Sequence, residues 1–149
     1  MEEKWEDLII ETVSRILIPF IQIYALYVLA HGHSSPGGGF QGGCIFAASL
    51  ILLFLLYGSK GLETNFPPRF LFILSAFGVG GLFAGVGAFC IVFGKNFLDY
   101  AALSTILPHG PIKARYYGMA MVETGVQFTV MCVMVLIFLK LLQEERIGV

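Results

Sequence analysis

Three stretches, Phe40 to Tyr57, Phe70 to Phe93 and Met119 to Leu139, are continuous apolar runs that between them carry one charged residue, Glu123. Each has about the 20 residues an α-helix needs to cross a hydrocarbon core of roughly 30 Å. Lipid offers no hydrogen-bond partners to a bare backbone, so such runs are predicted to be helical. A fourth run, Ile16 to Ala30, is interrupted only by Pro19 and Gln22. Its helical rise of about 22 Å is too short to span alone. Ahead of it, Trp5, Leu8, Ile9, Thr12, Val13 and Ile16 share one helical face, while Glu2, Glu3, Glu6, Asp7 and Glu11 fall largely elsewhere. The pattern predicts an N-terminal amphipathic helix leading into the membrane, with Trp5 at headgroup level and Arg15 snorkelling. Pro19 then marks a kink or the junction itself.

Composition agrees with lipid as the main solvent. Of 149 residues, 57% are hydrophobic and 13% charged, against roughly a quarter charged in soluble domains. A core of this size cannot hide so much apolar side chain from water. The net charge of −1 gives no basic field for nucleic acid. Cys44, Cys90 and Cys132 lie far apart in apolar runs, without metal-ligand spacing or a disulfide framework, and read as packing residues. The acidic start, MEEKWEDL, predicts no cleaved secretory leader.

The expected architecture is therefore an all-α integral membrane protein: one membrane domain over residues 1–149, with four transmembrane helices. Loop 1, His31 to Gly39, is short and glycine-rich; loop 2, Gly58 to Arg69, contains Pro67 and Pro68 and reads as a turn. Loop 3, Gly94 to Gly118, is long. Asn96 is a plausible N-cap there, with Asp99 three residues on and Leu98, Ala101, Ala102, Thr105 and Ile106 at helical spacing up to Pro108. This predicts a short helix on the membrane surface. With four spans, the side holding both termini and loop 2 carries Lys4, Arg15, Lys60, Arg69, Lys140 and Arg146, against Lys95, Lys113 and Arg115 on the other. That bias puts both termini in the cytoplasm.

Span three is studded with glycine. Gly81 and Gly85 form a GxxxG, Gly80, Ala84 and Ala88 a second small-residue ridge, and Gly43 and Ala47 repeat the interval in span two. Small side chains let helix backbones approach closely, within the bundle or against neighbouring subunits.

Loop 1 opens span two with His31-Gly32-His33-Ser34-Ser35-Pro36-Gly37-Gly38-Gly39-Phe40-Gln41-Gly42-Gly43. It has neither the lysine of a phosphate-binding loop nor the preceding strand of a dinucleotide fingerprint. As a metal site it offers two histidines, and His109 would have to come from another loop. Five glycines in eight residues exceed what a turn needs. They suit backbone that adopts φ > 0 or passes close to another chain. Glu123 costs on the order of 3 kcal/mol if it lies at the bilayer centre. Gln127, one turn on, shares its face. Either the pair belongs to an ion pathway, or Glu123 is a boundary acid reaching the headgroups from near Gly118. No nucleophile–base pair, metal cluster or cofactor fingerprint indicates an enzyme.

The loop 1 segment resembles the signature of the MrpB (MnhB) subunit family of multisubunit Na+/H+ antiporters, and His31, Gly32, His33, Pro36, Gly37, Gly38, Gly39, Phe40, Gly42 and Gly43 carry the resemblance. In outline it extends to four spans, a long third loop and Glu123-Thr124-Gly125-Val126 near the start of the last span. The resemblance implies a cofactor-free, non-redox subunit in a prokaryotic cell membrane. Its partners would be lipid, other small multi-span subunits, and large antiporter-like subunits, with Na+ or H+ as the transported ions. The implied host is either a stand-alone antiporter or an energy-converting respiratory complex, a hydrogenase or a sulfane sulfur reductase. Glu123, Gln127, His31 and His33 are the candidate ion-pathway residues, with purely structural packing as the alternative role.

Overall fold

The computed structural model describes residues 2–34, 36–57, 67–106 and 110–147, with side chains from Leu8 to Gln143. Trp5, Lys60, Pro108, His109 and Arg146, all used in the sequence reading, lie outside the described side chains.

Helix α1, Glu2–Ala30, is one unbroken helix, and its segment from Leu8 on is long and apolar enough to cross a membrane. The amphipathic stretch and the apolar run are thus one continuous helix. Pro19 does not end it: proline in a helix interior removes one backbone bond and crowds the preceding turn, but lipid-embedded helices tolerate this. Arg15 pairs with Glu11 at 2.6 Å and lies over the Tyr57 ring at 5.5 Å, at the end of α2.

Helix α2, Gly39–Tyr57, returns against α1. The third span, Pro68–Val92, has three parts. These are α3, Pro68–Ala76, a π-helical segment, Phe77–Phe83, and α4, Ala84–Val92. Pro68 suits the first turn, where its missing N–H would have no partner. In the π segment FGVGGLF the backbone bonds widen, as where the Ala84 N–H reaches back five residues to the Val79 carbonyl. Three glycines there supply little helix propensity to resist the widening.

Loop 3 carries a 310 helix, Tyr100–Thr105. Its cap is Asp99, which accepts from the Ala101 N–H at 3.2 Å, rather than Asn96. It does not simply float on the surface. Ala102 and Leu103 are buried against Val86, Cys90, Ala114 and Val122, so the segment plugs one end of the bundle.

Helix α5, Gly110–Ile147, is the spine against which every other element packs. Its 38 residues rise well beyond the roughly 30 Å of a hydrocarbon core. Ala47, Leu50, Phe54, Leu71, Met131, Cys132, Val135 and Leu139 form a second core, toward the end of the bundle that holds the termini. Elsewhere the spans present large apolar side chains outward. Phe20, Ile23, Phe72 and Ile73 are each about two-thirds exposed. A surface this apolar is stable against lipid or protein, not water. The chain is a multi-pass membrane protein.

Helix contacts occur where glycine allows them, but not on the expected ridge. Gly80 has nothing within 4 Å, Gly81 faces its own Phe77 ring, and Gly85 meets only the Gly80 carbonyl at 3.7 Å. The close crossing lies on the opposite side of the π segment. A Cβ at Gly78 would sit 2.5 Å from the Gly125 carbonyl, and one at Gly125 would sit 2.7 Å from that of Gly78. Thr129 seals the crossing, its hydroxyl lying 2.9 Å from the Gly125 carbonyl and 3.2 Å from that of Ser75. Among the described residues Gly80, Gly81 and Gly85 therefore make no close approach to another helix.

Candidate functional site

The site lies where loop 1 folds over α5. Loop 1 leaves α1 through tight local bonds: the Gly32 N–H donates to the Leu29 carbonyl at 3.1 Å and the Ser34 N–H to that of His31 at 3.0 Å. The chain then crosses α5 and enters α2 at Gly39. Among the described residues, positive φ in glycine occurs only at Gly94 and Gly110. Loop 1 does not use its glycines for left-handed backbone. It uses them for closeness, and the neighbour is this chain's own α5.

Glu123 is the object they surround. A Cβ at Gly32 would collide with the Glu123 carboxylate, one at Gly38 would reach 3.4 Å from its Oε1, and one at Gly39 would overlap the Glu123 backbone carbonyl. Gly42 and Gly43 extend the same contact one turn along. There a Cβ would lie 2.9 Å from the Ala25 and Gln127 carbonyls respectively. The glycine run is a mould for one face of α5 centred on an acid.

The helix begins at Gly110, so Glu123 lies roughly 20 Å along it. The carboxylate is half-buried under loop 1 backbone. Gln127 is only 5% exposed, and its Nε2 has no hydrogen-bond partner among the described residues. A buried donor left unpaired costs about 1–3 kcal/mol. Such an atom is retained where its polarity is used.

Glu123 also borders a cavity of about 180 Å³, lined by Leu29, Ala30, His33, Tyr116, Met119, Ala120 and Thr124 as well. The His33 ring meets Tyr116 edge-on at 5.0 Å. The Thr124 hydroxyl donates to the Ala120 carbonyl at 2.7 Å, which leaves its oxygen lone pairs directed elsewhere. Tyr100, on the 310 helix, packs against Gly118. Burial, then the proximity of Cys90 and Glu123, raises its phenol above the ordinary value, so it stays neutral.

Of the four candidates, the structure puts Glu123 and His33 on one cavity, with Gln127 one turn along α5 against Gly42 and Gly43. His31 is turned away: it stacks on Tyr27 at 4.1 Å and its Nδ1 lies 3.0 Å from the Tyr27 carbonyl, capping α1. Phe40 is exposed. Tyr116 and Thr124 escaped the sequence reading. Tyr116 was recoverable, since it precedes Glu123 by two helical turns on one face, but only once the helix was known to begin before it. Among the described residues no group of three His, Cys, Asp or Glu side chains could hold a metal ion.

Similarity to known proteins places the site in a family. A family model described as a domain related to the MnhB subunit of Na+/H+ antiporter matches residues 9–136. The B-type subunit of the Na(+)/H(+) antiporter of Bacillus subtilis (strain 168) is 36% identical over 99 residues, covering 66% of this chain and 68% of the relative. A Staphylococcus aureus (strain Newman) protein designated antiporter subunit mnhB2 is 31% identical over 140 residues, covering 93% of this chain and 96% of the relative. The match takes in loop 1, the glycine crossing and Glu123 together, and the chain belongs to the MnhB family of Na+/H+ antiporter subunits.

Proposed function

We propose that this chain is a non-redox membrane subunit of a multisubunit Na+/H+ antiporter module, in which Glu123 and Gln127 form a station on the cation route. The observation that carries the reading is the enclosure of Glu123: an acid of the last span, moulded by Gly32, Gly38 and Gly39 and bordering a cavity that His33, Tyr116 and Thr124 also line. An acid in a span costs up to about 3 kcal/mol at the bilayer centre, and such a residue is kept for its charge. The two relatives, both named as antiporter subunits, support the same setting. Its partners are other small multi-span subunits and large antiporter-like subunits. The module belongs to a stand-alone antiporter or to an energy-converting respiratory complex. Both termini lie in the cytoplasm, following the six-to-three distribution of basic residues.

The test is Glu123→Gln in the assembled complex. Gln keeps the shape of the side chain and removes the charge, so the complex should assemble while Na+-linked proton exchange falls. Exchange at the wild-type rate would remove Glu123 from the route.

One observation favours a second role beside the first. Gly81, Gly85, Val86, Phe89, Leu103, Ile106 and Met121 line an open apolar groove of about 500 Å³, next to the unpacked Gly80. In this role a neighbouring subunit's helix fills the groove. Gly80→Leu should then leave the isolated chain folded but prevent assembly; if packing were the chain's whole role, Glu123→Gln would be harmless. Normal assembly of the Gly80→Leu variant counts against that role.

A further inference from the structure

We infer that the cavity beside Glu123 is a proton-entry pocket, with His33 exchanging protons between water and the Glu123 carboxylate, and that it is not a sodium site. This rests on the reading of Glu123 as part of the cation route and names the ion this end of it carries.

The lining chemistry favours a proton. A dehydrated hard cation needs several oxygen ligands around it, as carboxylates and carbonyls supply, whereas imidazole suits softer metals. The side-chain oxygens offered by the lining residues are the Glu123 carboxylate, the Tyr116 phenol and the Thr124 hydroxyl; the remaining polar side chain is the His33 imidazole. Leu29, Ala30, Met119 and Ala120 complete the wall with apolar surface. Around 180 Å³ holds several waters. Water, imidazole and carboxylate in one pocket are the parts of a proton relay.

Position favours His33 over its neighbour. His31 spends its ring on Tyr27. His33 is exposed on one side, borders the cavity on the other, and is held by the Tyr116 edge. The titratable groups facing it are Tyr116 and Glu123, both from α5; the α1 residues in the wall, Leu29 and Ala30, do not titrate. The cycle is balanced. A proton from bulk water binds one ring nitrogen of His33, the other nitrogen releases a proton through the pocket water to Glu123, and the ring returns to neutral. The reverse order serves release.

The experiment uses the assembled antiporter complex in everted vesicles, with assembly checked on native gels, and compares His33→Ala, Tyr116→Phe and Glu123→Gln. Proton exchange by His33→Ala should fall about a hundredfold or more and recover on addition of imidazole. The KM for Na+ should not change. Tyr116→Phe keeps the ring against His33 and should retain most activity with an unshifted Na+ KM, which also tests the pocket if His33→Ala assembles poorly. A raised Na+ KM in either variant, with the rate at saturating Na+ intact, would show a sodium site and overturn the proposal. So would a fully active His33→Ala beside an inactive Glu123→Gln. If Glu123→Gln is itself fully active, the underlying reading fails instead.

Discussion

The alanine substitution Gly39→Ala tests the mould directly, with Gly80→Ala as its counterpart. At Gly39 an added Cβ falls on the Glu123 carbonyl oxygen, with the carbonyl carbon at 2.8 Å and the Cα at 3.1 Å. All three are backbone atoms of the helix spine and cannot swing aside, so the start of α2 has to retreat on the order of 1 Å. Overpacking of this kind costs about 1–3 kcal/mol. Helix propensity returns at most about 1 kcal/mol, and less at the first helical residue. Gly39→Ala should therefore destabilise the chain by roughly 1–2 kcal/mol. Gly80→Ala has nothing within 4 Å to strike and should stabilise it by up to about 1 kcal/mol. Both variants of the isolated chain can be heated in detergent while helicity is followed by circular dichroism. The two midpoints should move in opposite directions. Equal midpoints, or a less stable Gly80→Ala, would refute the assignment of close approach to loop 1 instead of the span three ridge.

Two further predictions concern the scaffold. Asp99→Ala removes the acceptor of the Ala101 N–H and should cost about 1 kcal/mol; hydrogen exchange should quicken in the 310 helix and nowhere else. Phe54→Ala empties a nearly buried site between α2 and α5. Lipid is as apolar as the core, so only packing contacts are lost, and the measured cost should fall below the roughly 3–5 kcal/mol typical of water-soluble proteins.

The spans were legible because lipid leaves helix as the only solution for long uncharged runs. What the sequence did not reveal is that the first helix runs on unbroken through Pro19, which read as a kink or junction. Loop 1 was legible as unusual, but a glycine says only that something needs the room of a side chain. Whether that is a left-handed φ or an approaching backbone is a tertiary fact. The same limit left the GxxxG of span three open between the chain's own bundle and a neighbouring subunit. Among the described residues Gly78, with no small partner at the usual interval, makes the close crossing, against Gly125. Gly125 itself was read as part of an acid-x-Gly-Val motif, and its place in the crossing with Gly78 is visible only in the structure. Tyr116 was missed for a simpler reason: with Lys113 and Arg115 beside it, the first turns of α5 read as loop.

Taken in order along α5, the polar groups run from Tyr116 and His33 at the loop 1 end, through Glu123 and Thr124, to Gln127 and Thr129. Beyond them the sealed cluster of Met131, Cys132, Val135 and Leu139 meets Ala47, Leu50, Phe54 and Leu71. On the proposed route, an ion that enters beside Glu123 would meet no polar side chain of α5 between Thr129 and Leu139, and the prediction is that the route leaves this chain sideways into a neighbouring subunit. Cysteine labelling can decide this in the assembled complex, with the remaining native cysteines replaced by alanine in each case. Thr124→Cys should react with a membrane-impermeant thiol reagent applied on the loop 1 side, and native Cys132, fully buried in the cluster, should react from neither side. A Cys132 that is labelled from the side of the termini would mean that water reaches through the core. In that case the chain holds a complete channel of its own, and the sideways exit is wrong.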